Sequence, residues 1–482
     1  MHLTSTRGSD RALSDAPNGP SSGMPEAHQS VTDPHAADVR SFGAVGDGRT
    51  IDTVAIQRAI DAVAAQGGGR VVLGGGGTFV TGTLHLRSHV TLHVAGGATL
   101  LGSPDLGAYD RDDQQTYAPG IIGQVLIFAQ ECTDVAITGT GTIDGNAGRF
   151  EKKMAASRPV LVRFRDCRQV RVQDLSLRDG PSWTIHAIGC QQVRYQDLTI
   201  RSVDHATNDG LDIDGCSEVF VTRCSITTSD DSIALKATRP GFPCRDVTVS
   251  DCQLSSYCQA IRVGPETLAD IERVTVSNCL IRDTGMGGIC LQVAHGGRIR
   301  DLVFANLVMD RVCNPISIRL GGWRDGDDNV KPWFLDDSRW QEGSLSDVLF
   351  SNIRARVPRY FLEGTPKESR TFKANEKTCI TVTGTTATRP ARITFDQIDV
   401  TYPGGGTLED AARPIPELDR TYPTPFMFGV PPAYALFARH VDDLVLQRVR
   451  FRLASSDVRP AVVCEDVPGI DLSGVRSDTA PG

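Results

Sequence analysis

The chain has 482 residues, a net charge of −8 and a sequence pI near 5.7. No basic stripe runs along it, which argues against a nucleic-acid partner, and no apolar run reaches the roughly 18–20 residues that span a bilayer. The length suits either two or three ordinary domains or one elongated domain built of repeats.

Residues 1–37 are rich in Ser, Pro, Gly, Asp and His and hold almost no large apolar side chains. They cannot bury a core and are expected to form a disordered tail. The tail lacks the apolar segment of a secretory signal, and the 13 cysteines of the chain show no zinc-like spacing. An odd number of cysteines without a signal favours free thiols, and hence a cytoplasmic protein with no metal or other cofactor. Secretion is the alternative.

The segment "DTVAIQRAIDAVAAQGGG" predicts a helix. Asp52 is placed as its N-cap, Ile56, Ile60 and Val63 fall on one face, and glycines end it. Such a helix would cover the open end of the coils that follow it. The glycine run after it lacks a Lys-Ser/Thr ending and precedes a strand, so it is not a phosphate-binding loop.

Short β-rich segments then recur along the chain. Their shared Val or Leu falls at positions 135, 170, 193, 219, 247, 274, 302 and 348, with most intervals between 23 and 28 residues. This period, with short strands separated by Gly, Asn or Asp, predicts an all-β fold, a right-handed parallel β-helix. We expect one such domain over residues 38–482, with the helix as its N-terminal cap.

Cysteines recur at two positions of the repeat. Small thiols repeated in this way are expected to stack inside the coils rather than to bind metal. The two predicted rows are Cys132, Cys167, Cys190, Cys216 and Cys244, and Cys224, Cys252 and Cys279.

Acidic side chains gather in two consecutive repeats. One repeat supplies Asp209, followed by Asp212 and Asp214, and the next supplies Asp230 and Asp231. Residues one coil apart lie about 4.8 Å apart, so Asp209 should neighbour the Asp230–Asp231 pair. Carboxyl groups this close raise one another's pKa, which lets a general acid and a general base coexist. A single Asp often only stabilises a turn, but the three together favour catalysis, with the other two supporting them.

Two segments interrupt the repeats. Residues 321–343 are rich in Gly, Asp and Trp and include Trp323. Such an insertion on a regular solenoid is typical of a binding face. Residues 402–434 are rich in Pro and predict an irregular excursion.

The segments "TNDGLDIDGC" and "TTSDDSIALK", with "SFGAVGDGRTIDTVAIQRAIDA" and "GTGTIDGNAG" before them, resemble the polygalacturonase-like glycoside hydrolases of family 28. The resemblance runs from about Ser41 to the last strands, and it implies an inverting enzyme with a β-helix fold. Carried over by position, it implies that Asp230 is the general acid and that Asp209 and Asp231 hold the attacking water.

The sequence departs from the family pattern at two places. The family's histidine position falls on Cys258 or Gln259, and its Arg-x-Lys strand reads Cys290 and Gln292. Neutral side chains cannot form the charge-assisted bonds that a uronate carboxylate needs. Retained acids with lost cations indicate an active enzyme of changed specificity.

Other polar side chains lie near these motifs and are predicted to bind substrate. The set comprises Arg262, Lys236, Gln259, Gln292, Arg319, Trp323 and His205. His205, four residues before Asp209, is also a candidate to replace the missing histidine. An Arg on a strand is as often a solvated outer-face group, so Arg262 and Arg319 carry both interpretations.

The expected function is inverting hydrolysis of a plant-derived, pectin-related oligosaccharide or glycoside other than unmodified polygalacturonate. Three alternatives stay open: a β-helix lyase that uses Ca²⁺, an intramolecular glycosyl transferase, and a non-catalytic carbohydrate-binding solenoid. The expected partner is a carbohydrate, and the sequence leaves the oligomeric state open.

Overall fold

The computed structural model describes residues 35–112, 123–151, 158–322, 342–359 and 377–478. The predicted tail up to residue 34 and the segment 323–341, which contains Trp323, lie outside the described residues. No helix among the described residues is long and apolar enough to cross a membrane.

The repeats form the coils of a right-handed parallel β-helix, which confirms the predicted fold class. All eight predicted repeat positions are register partners of one another, from Val135 through Val219 and Val274 to Val348. A period read from the sequence therefore corresponds to one turn of the solenoid. The strands form two parallel sheets, one of twelve strands and one of twenty-four.

The twelve-stranded sheet pairs each strand with the next one along the chain. Its strands are Leu84–His85, Val125–Gln130, Val160–Arg165, Ile185–Ile188, Leu211–Asp214, Ile233–Ala237, Gln259–Thr267, Gly287–Val293, Ile316–Leu320, Ile380–Thr383, Leu436–Arg439 and Val462–Glu465. The acidic motifs of the sequence belong to this sheet.

The second sheet covers the remaining sides of the coils. Its strands are Ala36–Asp38, Asp47–Ile51, Gly69–Leu73, Gly77–Thr81, Val90–Val94, Ala98–Gly102, Thr133–Thr138, Thr142–Asp144, Arg168–Gln173, Ser176–Arg178, Gln191–Gln196, Thr199–Ser202, Ser217–Thr222, Ser225–Thr228, Cys244–Ser250, Gln253–Ser256, Ile271–Ser277, Leu280–Thr284, Arg298–Val312, Ser344–Arg356, Ala391–Tyr402, Asp442–Gln447, Val449–Leu453 and Val475–Asp478. The strand Ala36–Asp38 begins inside the segment 1–37 predicted as a tail.

A corner residue in the left-handed backbone region precedes the repeat Val or Leu in every coil. Gln169 has φ +59° and Glu218 has φ +57°, and the same holds before each of the other repeat positions. A single residue in this conformation bends the strand, and non-glycine residues adopt it at a cost.

The predicted N-terminal helix runs from Thr53 to Ala65 and buries Ile56, Ile60 and Val63 against the first coils. Asp52 does not cap it with its side chain. Its carboxylate instead accepts hydrogen bonds from the backbone N–H groups of Val45, at 2.7 Å, and Gly46, at 3.0 Å. These bonds tie the preceding loop to the start of the helix.

The other helical elements in the described part of the chain are short. They are the 3-10 turns Val39–Phe42, Leu106–Ala108 and Ala147–Arg149, and the helix Leu408–Ala411. The last lies in the predicted excursion 402–434 and begins with a capping box between Thr407 and Asp410.

The interior is a column of stacked apolar side chains. The predicted cysteine rows are buried and unpaired, and Cys167 N–H donates to Cys190 Sγ in the next coil at 3.4 Å. Phe350 stacks between Phe304 and Phe395 at centroid distances of 5.2 and 4.9 Å. Identical neighbours from coil to coil fix the register and hold the polar face of the twelve-stranded sheet in place.

Candidate active site

Coil stacking brings the three predicted acids together. Asp209 precedes the strand Leu211–Asp214, and Asp230 and Asp231 precede the next strand, Ile233–Ala237. The N–H of Gly210 donates to the carbonyl of Asp231 at 2.9 Å, which sets the two coils in register at this point. The acids interact electrostatically with one another, so the predicted neighbourhood is present in the structure.

The three acids differ in exposure. Asp209 and Asp231 are 4% and 2% exposed, whereas Asp230 is partly exposed. Burial, helped by neighbouring carboxylates, raises the pKa of Asp209 well above its usual range, and burial also raises that of Asp231. Burial, followed by the charge of Asp231, raises the pKa of Asp230 to about 7. Asp230 is thus an acid that carries a proton near neutral pH and faces solvent.

Two buried cations balance the acids. Lys236 Nζ lies 2.7 Å from Asp212 Oδ1 and 3.5 Å from Asp209 Oδ2. Arg262 Nη1 lies 3.2 Å from Asp231 Oδ2. The charge of Lys236 lowers the pKa of Asp209, and the charges of Arg262 and Lys236 lower those of Asp230 and Asp231, so these cations oppose the effect of burial on the acids. An acid and a base can therefore be present at once.

Cys258, one of the two residues at the predicted histidine position, lies next to Asp230. Ligand atoms of Cys258, Asp230 and Asp231 lie within 4.8 Å of one another. A hydrogen bond with the thiol lowers the pKa of Asp230, while burial and then the charge of Asp230 hold the pKa of the Cys258 thiol well above its usual range. The thiol is therefore protonated and donates. Its Sγ also lies 3.3 Å from Met286 Sδ.

These same three groups are the one set of ligating side chains, among the described residues, that is close enough to hold a metal ion. Arg262 already pairs with Asp231, and Lys236 lowers the pKa of both acids by its charge. Two cations this close oppose a divalent ion, so the set fits proton transfer better than metal binding.

Two of the neutral residues of the lost family motifs lie beside Arg262. Its Nε donates to Gln292 Oε1 at 3.1 Å, and Cys290 is its register partner on the next strand. Gln259 begins the strand of Arg262 and is 1% exposed. In the described part of the chain its Oε1 has no hydrogen-bond partner, which leaves an acceptor beside the acids.

The excursion 402–434 reaches the site, which the sequence did not indicate. Tyr422 accepts a hydrogen bond from Arg262 Nη2, and the Arg262 guanidinium lies 5.4 Å from the centre of the Tyr422 ring. Glu266, 5% exposed, adds a second charge beside Arg262. The sequence did not predict a role for Trp183 either, and Lys236 Nζ lies 4.1 Å from the centre of its ring.

Arg319 contacts backbone carbonyls, whereas the backbone of His205 bonds two residues next to the acids. The His205 N–H donates to Asn208 Oδ1 at 2.6 Å, and its carbonyl accepts from Ser229 Oγ. Arg319, 3% exposed, donates to the carbonyls of Gly384 at 2.5 Å and Leu418 at 3.0 Å, and so holds the excursion. His205 Nε2 donates to the carbonyl of Ala147 at 2.9 Å. Their predicted contacts with substrate stay predictions, as does that of Trp323.

The sequence profile of the family described as Glycosyl hydrolases family 28 matches residues 81–357, more than half of the chain. A probable polygalacturonase of Vitis vinifera is 30% identical over 298 residues, which cover 57% of this chain and 61% of that protein. The chain thus matches less than two thirds of that relative's length.

Two solved structures share the fold. The exopolygalacturonase of Thermotoga maritima superposes with a TM-score of 0.65 at 21% identity, over 86% of this chain and 91% of that one. The family 28 exopolygalacturonase of Yersinia enterocolitica gives a TM-score of 0.70 at 20% identity, over 91% of this chain and 78% of that one. The profile match over more than half of the chain shows that it belongs to family 28 of the glycosyl hydrolases.

Proposed function

We propose that the protein hydrolyses a glycosidic bond in a pectin-related oligosaccharide or glycoside, with inversion at the anomeric carbon. The observation that carries this proposal is the position of Asp230, a partly exposed acid with a pKa of about 7. It lies beside two buried acids that are each close to a cation, Asp209 to Lys236 and Asp231 to Arg262. A general acid and a general base in one site are what inverting hydrolysis needs.

Each acid has a distinct part in the proposed reaction. Asp230 donates its proton to the glycosidic oxygen as the bond to the anomeric carbon breaks. Asp209 and Asp231 hold the water that attacks the opposite face of the sugar ring, and Asp231 accepts its proton. The charges of Arg262 and Lys236 favour the ionised form of Asp231, because both lower its pKa against the effect of burial.

The proposed substrate differs from unmodified polygalacturonate. The positions of the family's paired cations hold Cys290 and Gln292, and Arg262 already pairs with Asp231 and Tyr422. The names of the curated and solved relatives point to pectic polymers as the wider substrate class. We therefore expect a pectic fragment that is esterified, branched or capped by another sugar, cleaved from one end.

An activity screen tests the proposal. Purified protein is incubated with aryl glycosides and pectic oligosaccharides, and the anomer formed first is read by proton NMR. We expect one of them to be cleaved with inversion, and Asp230→Asn to reduce turnover by about 10²-fold or more without unfolding the chain. Near-full turnover in Asp230→Asn would refute the assignment.

The same screen separates the alternatives. A lyase would need Ca²⁺ and give an unsaturated product that absorbs in the ultraviolet. An intramolecular transferase would release a cyclic sugar from the same acids. A non-catalytic solenoid would bind without turnover, and its affinity would not change in the Asp variants.

We also propose a cytoplasmic location, supported by free cysteines at all 13 positions. Fractionation of the native cells with an antibody to the protein tests this, and recovery outside the cell would overturn it.

A further inference from the structure

A row of buried hydroxyl groups passes beside the acids. Each member is the last residue of its strand in the second sheet, each is at most 1% exposed, and neighbours in the row are register partners. The row consists of Ser202, Thr228, Ser256 and Thr284. Two of these hydroxyls contact the residue proposed as the general acid.

Thr228 and Ser256 hold the main chain of Asp230. The Ser256 hydroxyl donates to the Asp230 carbonyl at 2.6 Å, and the Thr228 hydroxyl donates to the same carbonyl at 2.7 Å. The N–H of Asp231 also donates to Asp230 Oδ1 at 3.1 Å. Hydrogen bonds therefore hold both the backbone and the carboxyl group of this acid.

Ser256 contacts Cys258 as well. Its Oγ accepts a hydrogen bond from the N–H of Cys258 at 2.8 Å. The carbonyl of Cys258 is bound from the next coil, by the N–H of Met286 at 2.9 Å. One hydroxyl group thus connects the backbone of Cys258 to the backbone of Asp230.

We propose that Ser256 is a positioning residue, whose hydroxyl fixes the thiol of Cys258 against the carboxyl group of Asp230 and so sets this acid for proton donation. The inference rests on the proposed function, because it takes Asp230 as the general acid. Ser256 acts through its two neighbours and touches no reacting atom. A displacement of about 1 Å at a catalytic group can cost up to about 10²-fold in rate, so bonds to its backbone matter.

The thiol contact is one of several influences on Asp230. Burial and then the charge of Asp231 raise the pKa of Asp230. The other groups that interact with it are Asp209, Arg262, Cys258 and Lys236. Loss of the Ser256 hydroxyl leaves all the charges in place and loosens the thiol, whose hydrogen bond lowers this pKa. We therefore expect Ser256→Ala to raise the pKa of Asp230.

Kinetics of single and double variants test the inference. The pH–rate profile on the substrate found in the screen is measured for wild type, Ser256→Ala, Ser256→Thr and Cys258→Ala, and for Ser256→Ala combined with Cys258→Ala. We expect Ser256→Ala to lower kcat about tenfold with KM nearly unchanged. Its alkaline limb should move up by about half a pH unit. In the Cys258→Ala protein it should cause no further shift, because the thiol is already gone.

Ser256→Thr should restore both kcat and the alkaline limb. It keeps the hydroxyl, and the register partners Thr228 and Thr284 show that a threonine fits this row.

Thr284→Val is the matched control. Thr284 follows Ser256 in the row, one coil farther from Asp230, and its Oγ1 has no hydrogen-bond partner among the described residues. Removal of this hydroxyl should leave kcat and the alkaline limb unchanged. An equal loss of rate in Thr284→Val, or an alkaline limb that Ser256→Ala does not move, overturns the inference.

The inference and the proposed function fail in different ways. The difference in Tm between each protein and its Asp230→Asn counterpart, followed from pH 4 to 9, reports the pKa of Asp230 without any substrate. If no glycoside is cleaved but Ser256→Ala moves the midpoint of this difference to higher pH, hydrolysis is wrong and the coupling through Ser256 stands. If a glycoside is cleaved with inversion and Ser256→Ala moves neither the midpoint nor the alkaline limb, only the inference is wrong.

Discussion

The proton on Asp230 sets how activity should depend on pH. Its pKa is raised to about 7, and only the protonated form can donate to a leaving oxygen. We expect kcat/KM to fall about tenfold per pH unit above pH 7. Rates on the substrate found in the screen, measured from pH 4 to 9, check this. A profile that stays flat through pH 7 to 9 would rule out Asp230 as the acid.

The same proton links Asp230 to folding stability. Because its pKa is higher folded, at about 7, than the ordinary 3.8, protonation stabilises the fold below pH 4, and this contribution is lost as pH rises through 7. Asparagine resembles the protonated form at every pH. We expect the Tm of Asp230→Asn, relative to wild type, to be higher at pH 8 than at pH 5, as measured by calorimetry. A Tm difference independent of pH would contradict the raised pKa.

The thiol of Cys258 should tune the pKa of Asp230. Its hydrogen bond lowers that pKa, so Cys258→Ala should move the alkaline limb of the pH–rate profile to higher pH. Cys258→Ser keeps a donor and should stay close to wild type. Cys464→Ser serves as control, because Cys464 is the other cysteine that is not fully buried. Equal profiles for the Ala and Ser variants would show that Cys258 only fills space.

Much of the site could be predicted at this scale. Spacing alone brought Asp209, Asp230 and Asp231 together, because one coil is one repeat. It left open whether Cys258 or Gln259 faces the acids, which depends on where the strand begins. The contribution of Tyr422 could not be predicted, because it comes from an irregular segment that has no period to align it with the coils.

At the scale of single elements, the corner of each coil determines whether the strand can turn. Gln169 adopts φ +59°, a conformation that costs a β-branched side chain more than any other. Gln169→Val should lower the free energy of unfolding by about 1–2 kcal/mol, and Gln169→Asn should leave it unchanged or raise it slightly.

Arg171→Val is the matched control for the corner. It introduces the same side chain at an exposed site of the same strand, where the backbone is extended. Urea denaturation should show an effect within about 0.5 kcal/mol there. Equal losses at positions 169 and 171 would mean that the corner is not strained.

The N-terminal helix shows which features of an element a sequence pattern can predict. Apolar spacing predicted its buried face, and the glycines predicted its end. The role of Asp52 was different from the predicted cap, because its carboxylate meets N–H groups of the preceding loop. Which donors lie nearest to a side chain depends on how that loop folds back, and no local pattern records it.

At the scale of the whole molecule, repetition made the fold predictable. Eight repeat positions read from the sequence are register partners, so the order and direction of the strands followed from the period alone. Substrate specificity did not follow. It depends on side chains that break the repeat, such as Arg262 and Gln292, and on segments that leave the coils and return.

The ladder of the twelve-stranded sheet has a consequence for how such a protein can evolve. Asp212, Ala234, Arg262, Cys290 and Ser317 are successive register partners, one from each rung. Each rung contacts only the rungs beside it, and the interior column carries the stability. A lineage can therefore exchange one outward side chain, keep the acids two rungs away, and acquire a new substrate by a series of single, separately tolerated steps.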